Sequence, residues 1–139
     1  MVRAVRVLSL VALLTPIAAC QMPTGTNGER VAAGTWGGDH IRLDVTASGA
    51  TTEYDCAHGT IDEPIVVDDQ GRFSVSGTHT PEHGGPIRVD DPQDRHPALY
   101  DGRVVGDTME VTVTVTDTGQ RVGQFMLFLN HPARLVKCL

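Results

Sequence analysis

From Gly34 onward, apolar and polar residues alternate in short runs separated by turn-formers. Residues 108–116 show it most clearly: Met109, Val111, Val113 and Val115 share one face, threonines and Glu110 the other. Period-two alternation predicts a strand with one face buried and one wet. Residues 40–45 follow the same rule, in a strand opened by Gly34-Thr35-Trp36. Residues 50–57, 60–68, 72–79, 99–105, 122–129 and 133–139 complete a set of eight predicted strands. Short turns join them, at Asp69-Gln70-Gly71, Gly106-Asp107, Asp117-Thr118-Gly119 and Asn130-His131-Pro132. Gly37-Gly38 reads as a further turn, or as a place where another backbone approaches closely.

No helix-period segment of useful length interrupts this pattern after the first twenty residues. The expectation is an all-β domain: a small up-and-down antiparallel barrel of about eight strands, which abolishes its own sheet edges. A β-sandwich is the alternative. The one long connection is residues 80–97, stiffened by prolines at 81, 86, 92 and 97.

The first twenty residues obey a different rule. Arg3 and Arg6 precede an apolar run over residues 7–14, and Ile17-Ala18-Ala19-Cys20 follows. A charged start, a short apolar core and small residues before a cut site predict a secretory signal peptide. Cys20 directly after Ala18-Ala19 resembles the lipobox of bacterial lipoproteins. The resemblance implies cleavage before Cys20 and lipidation of its thiol and new amine. Several acyl chains would give a near-permanent tether, where one chain holds only marginally. Gln21, in place of the aspartate that commonly retains such proteins at the inner membrane, implies the periplasmic face of the outer membrane in a Gram-negative cell. The expected organisation is a signal peptide over 1–19, a lipidated tether over 20–33 and a β-domain over 34–139.

Removal of residues 1–19 takes away Arg3 and Arg6, leaving 9 of the 11 basic residues against 17 acidic ones. A net charge near −8 gives no electrostatic footprint for nucleic acid or anionic headgroups. The expected partners are the membrane, through acyl groups, and an envelope protein or small ligand. Once Cys20 is acylated, Cys56 and Cys138 remain in an oxidising compartment, which predicts a disulfide between them. Closing a loop of about 80 residues would add on the order of 4 kcal/mol in the chain-entropy picture.

Two further resemblances concern the exported domain. Gly34-Thr35-Trp36 at its start and Arg134 near its end resemble the closure of calycin-type barrels, where an arginine packs across the indole. That implies a cation–π contact between Arg134 and Trp36 closing the barrel. Trp36–His40, residues 55–61, His83–Pro86 and the Lys137-Cys138-Leu139 end resemble a group of uncharacterised bacterial lipoproteins. This second likeness brings no activity with it.

Residue types that could carry chemistry are sparse. His40, His58, His79 and His83 are candidate metal ligands in an acidic chain, but they lack a diagnostic spacing. Cys56 and His58, two apart, could form a thiolate–imidazole pair, which the predicted disulfide argues against. Ser48, Ser74 and Ser76 lie in no nucleophile elbow. Asp62-Glu63, Asp68-Asp69 and Asp90-Asp91 sit beside prolines or turn glycines and read as solvated turns. The sequence therefore points to a non-enzymatic binding lipoprotein without a cofactor. The candidate binding loop contains or borders His79, Glu82, His83, Asp90, Asp91 and His96. Two alternatives are an inhibitor of an envelope lysozyme or protease, and a metal-binding protein using the loop histidines.

Overall fold

A computed structural model of the chain describes residues 28–85, 90 and 93–138; the expected signal peptide, Cys20, Asp91 and most of the expected tether lie outside the described residues. Ten strands form in chain order: β1 (Glu29–Arg30), β2 (Gly34–Gly38), β3 (Ile41–Val45), β4 (Ala50–Tyr54), β5 (Ala57–Ile61), β6 (Val66–Val67), β7 (Arg72–Pro81), β8 (His96–Val105), β9 (Thr108–Val115) and β10 (Arg121–Leu129). Eight of them close an antiparallel barrel in the order β10-β2-β3-β4-β5-β7-β8-β9, while β1 and β6 pair separately. Neighbours in the barrel are neighbours in the chain apart from β6, so the fold is an up-and-down barrel.

The inward positions follow the alternation. Ile41, Leu43 and Val45 of β3 and Met109, Val111, Val113 and Val115 of β9 are all buried. Trp36, Tyr54, Tyr100, Ile41, Met109 and Leu127 fill the interior at 5% exposure or less. At roughly 1.5–3 kcal/mol per buried large apolar side chain, this packed lumen is the main source of stability.

Eight barrel strands were expected, but their boundaries differ. The 50–57 strand ends at Tyr54, with Ala57 opening β5. The long connection expected over 80–97 is shortened because β7 reaches Pro81 and β8 starts at His96. β2 is a separate strand because Asp39-His40 makes a two-residue turn, with Gly38 opposite Ile41 and His40 at a φ of 68°. Histidine, asparagine and aspartate enter that left-handed region more readily than most side chains. Residues 60–68 divide into the end of β5 and the short β6, with Asp62-Glu63-Pro64 between; Pro64 has no amide hydrogen to continue a ladder. Residues 133–139 were expected as the closing strand, but the described part, 133–138, forms none. Their sole ladder contact among the described residues is a bridge between Arg134 and Asp39.

Two ends of the barrel result. The lower end carries the β3–β4 and β8–β9 turns, residues 62–71 and the incoming N-terminal segment. The upper end carries the Asp39-His40 turn, the Asp55-Cys56 corner, the β7–β8 connection and residues 116–120. Residues 29–33, expected in the tether, belong to the lower end. β1 pairs with β6, the Val31 amide donates to the Ile65 carbonyl at 2.9 Å, and Val31 is buried. The C-terminal segment runs from Asn130 upward along the outside of β2 as a strap. A Cβ on Gly37 would come within 2.1 Å of the His131 carbonyl oxygen, so glycine there permits the close approach of this backbone.

Candidate binding surface

Trp36 and Arg134 do not make the expected cation–π closure. The indole is wholly buried, and its Nε1 donates to the Ala32 carbonyl at 3.0 Å. The Arg134 side chain is 86% exposed, with Nε 3.9 Å from Asp39. A guanidinium in water keeps its hydration, which a site beneath this enclosed indole would strip away. Arg134 acts through its backbone instead. Its amide donates to Gly38 O at 2.9 Å, and its carbonyl accepts from the His40 amide at 2.8 Å.

Cys56 and Cys138 form the expected disulfide, with Cα atoms 5.2 Å apart. The strap leading to it is tied mainly at Asp55. That carboxylate accepts from the Val136 amide at 2.8 Å, and the Asp55 carbonyl accepts from the Cys138 amide at 3.3 Å. Lys137 Nζ donates to Tyr54 O at 3.0 Å and pairs with Glu53 at 3.0 Å. The Val136 amide, helped by His40, holds the Asp55 carboxyl below its ordinary range. Disulfide formation also removes Cys56 from any nucleophilic pair with His58.

The histidines gather at the upper end, though not as one site. His40 Nδ1 lies 2.6 Å from Asp55, and His58 Nδ1 lies 3.0 Å from Glu82. His96 stands between two carboxylates, with Nδ1 2.7 Å from Asp117 and Nε2 3.0 Å from Asp94. The hydrogen bond to Asp117, together with its charge, raises the His96 pKa, and His96 lowers that of Asp117 in return. His79 is opposite His96 in the β7–β8 register, on β7 and not in the loop. Its ring packs edge-on against Tyr54, with centroids 5.2 Å apart. Burial, with the charges of His96 and His58, lowers the His79 pKa, and its buried Nδ1 has no hydrogen-bond partner among the described residues. His83 and Asp90 are exposed in the connection. Among the described residues, no three of histidine, cysteine, aspartate and glutamate come together to hold a metal ion.

Below this rim, hydroxyls inside the barrel satisfy one another. Tyr100 donates to Thr78 O at 2.7 Å, Tyr54 donates to the Tyr100 oxygen at 3.3 Å, and Thr52 lies 3.2 Å from the same oxygen. Burial raises both phenol pKa values. Neutral, mutually bonded hydroxyls in a packed interior serve structure; Thr52 and Tyr54 share the buried face of β4, and Tyr100 of β8 joins them through closure.

A surface feature that the sequence did not single out lies where β10 meets β2. β10 pairs with β9 over most of its length but with β2 only through Leu127–Leu129. Beside its upper part is a cleft of about 580 Å³, bordered by Gly38, His40, Gln124, Met126, Phe128 and Arg134. Met126 and Phe128 share the outer face of β10 and are 48% and 44% exposed. Large apolar side chains adjacent on one exposed face mark interaction surfaces more often than scattered ones do. A groove of about 640 Å³ at the lower end, beside Glu29, Asp68 and Asp69, is more acidic and its chain segments are already paired. Compared with known proteins, the chain matches no family, no curated protein and no solved structure.

Proposed function

We propose that the protein is an exported, lipid-anchored binding module that engages an envelope protein through its outer surface and performs no catalysis. The observation that carries this reading is the filled lumen: Trp36, Tyr54, Tyr100, Met109 and Leu127 occupy the space where a small-barrel protein would hold a ligand. A partner must then be met from outside. The hydroxyls of Thr52, Tyr54 and Tyr100 are bonded to one another, which disfavours chemistry in the interior. The lipobox-like Ile17-Ala18-Ala19-Cys20 supports the anchor. Inhibition of an envelope lysozyme or protease is one form such binding could take.

The test is fractionation of cells expressing the full chain, with photo-crosslinkers at exposed Met126, His83 and Val105. Acylation lost in Cys20→Ala, together with a discrete crosslinked adduct from one of the three positions, is the expected result. An unacylated chain in the aqueous phase refutes the anchor. The absence of an adduct from all three positions refutes partner binding through these surfaces.

A further inference from the structure

We infer that the free upper edge of β10 is a strand-addition site for an extended, acidic-flanked peptide segment of a partner protein. The inference rests on the binding-module reading and names its surface. Among the described residues, Arg121–Met126 have a strand partner on the β9 side only. A register irregularity between Arg121 and Gly123 leaves Gly123–Met126 as the regular part of that edge. The strap does not complete it. Arg134 bonds to Gly38 and His40, and Cys138 to Asp55, with no backbone bond from the strap to residues 121–126. A strand edge is a row of amide donors and carbonyl acceptors that another strand satisfies.

Side chains give the edge selectivity. An added strand places alternate residues on the outer face, where Met126 and Phe128 stand exposed. Charge selects the flanks. Arg134 reaches Asp39 only at 3.9 Å, and Arg121 donates to the neutral Gln124 amide oxygen at 2.8 Å. By contrast, Arg42 and Lys137 hold carboxylates at 2.8 and 3.0 Å. Arg134, which borders the cleft together with Asp39, and Arg121, at the start of β10, are therefore the better placed to take new carboxylates. The chain's net negative charge opposes an acidic partner at long range. At physiological ionic strength that repulsion is screened over about 8 Å, whereas a contact pair at the cleft is not.

The probe is a fluorescent peptide of alternating valine and threonine with aspartates at both ends, titrated into the detergent-solubilised full chain. Saturable anisotropy is expected. A central proline should abolish it, because proline cannot donate to a ladder. Lysine flanks should weaken it about fivefold, as two exposed ion pairs would. Met126→Lys and Phe128→Lys should each weaken binding at unchanged Tm, and Val105→Lys, on a different exposed face, should not. The inference is overturned by no saturation up to about 1 mM, by equal binding of the proline peptide, or by equal loss in Val105→Lys. Dimerisation through Met126 with exclusion of the peptide also overturns it, naming a second copy as the occupant. If the peptide fails while crosslinking from His83 or Val105, but not from Met126, returns a partner in cells, the edge is the wrong surface and the binding-module reading stands.

Discussion

The two ends of the described chain are held to the same barrel by different forces. The N-terminal segment enters the lower end by burial. Val31 and Ile65 join the core at 7% and 2% exposure, and Ala32 accepts the hydrogen bond of the buried indole. The C-terminal strap buries no side chain among residues 131–138. It is held by backbone bonds at Gly38, His40 and Asp55, by Lys137 and by the disulfide. Apolar burial is cooperative with the rest of the core, so the lower end should open only with global unfolding. Polar bonds at a wet surface exchange readily with water, so the strap depends on its covalent end. The half-open seam beside β10 lies next to the removable element, not the integrated one.

The strongest way to break this contrast is at the indole that joins barrel and N-terminal segment. Trp36→Ala should cost about 3–5 kcal/mol, as expected for losing a large buried aromatic. Urea denaturation reads it, and amide exchange should show residues 29–33 losing protection together with β2. Retained protection in residues 29–33 would separate the N-terminal segment from the core.

Removing the covalent end of the strap comes next. Cys138→Ser should cost about 2–4 kcal/mol, within the range for native disulfides closing long loops. Exchange should accelerate first at Val136 and at His40, whose amides bond to Asp55 and Arg134. Residues 29–33 should keep their protection. If they lose it equally, the two ends are one cooperative unit.

A smaller effect concerns the upper rim, where pH acts through His96. Its folded-state pKa is raised, so its contribution is complete below the unfolded value near 6.5 and is lost as pH rises through the folded value. His79 has the opposite sign. Its lowered pKa means stability falls as acid protonates it below its unfolded value. The depressed carboxyls of Asp55 and Asp117 contribute above about pH 3.8 and fail as the pH drops further. His96→Asn should therefore remove a decline in Tm as the pH rises above about 6.5. An unchanged decline would show that Asp94 and Asp117 do not sense the His96 charge.

The smallest effect belongs to Arg134→Ala. Its side chain is exposed and its structural bonds are backbone, so stability should change by no more than about 0.5 kcal/mol. Tryptophan emission should stay fixed, because the guanidinium is not over the indole. A clear emission shift would restore the cation–π closure.

The sequence made the barrel legible because period-two alternation reports which face of a strand is buried, and residues 108–116 or 41–45 state it without ambiguity. It also implied the Cys56–Cys138 bond, since two thiols left over in a chain expected to be exported leave few alternatives. The predicted number of barrel strands agrees only because two errors offset each other: Gly34–Gly38 and Ile41–Val45 are two strands, and the described residues 133–138 form none. Alternation cannot see a two-residue turn in which a histidine takes a positive φ. Nor can it tell a strap that crosses a glycine from a strand that pairs with one. Which histidine meets which carboxylate, whether the lumen is filled, and how far β2 reaches along β10 depend on strand length and stagger around the closed barrel. These are relations between residues as far apart as Asp55 and Val136, and only closure of the tertiary structure brings them together.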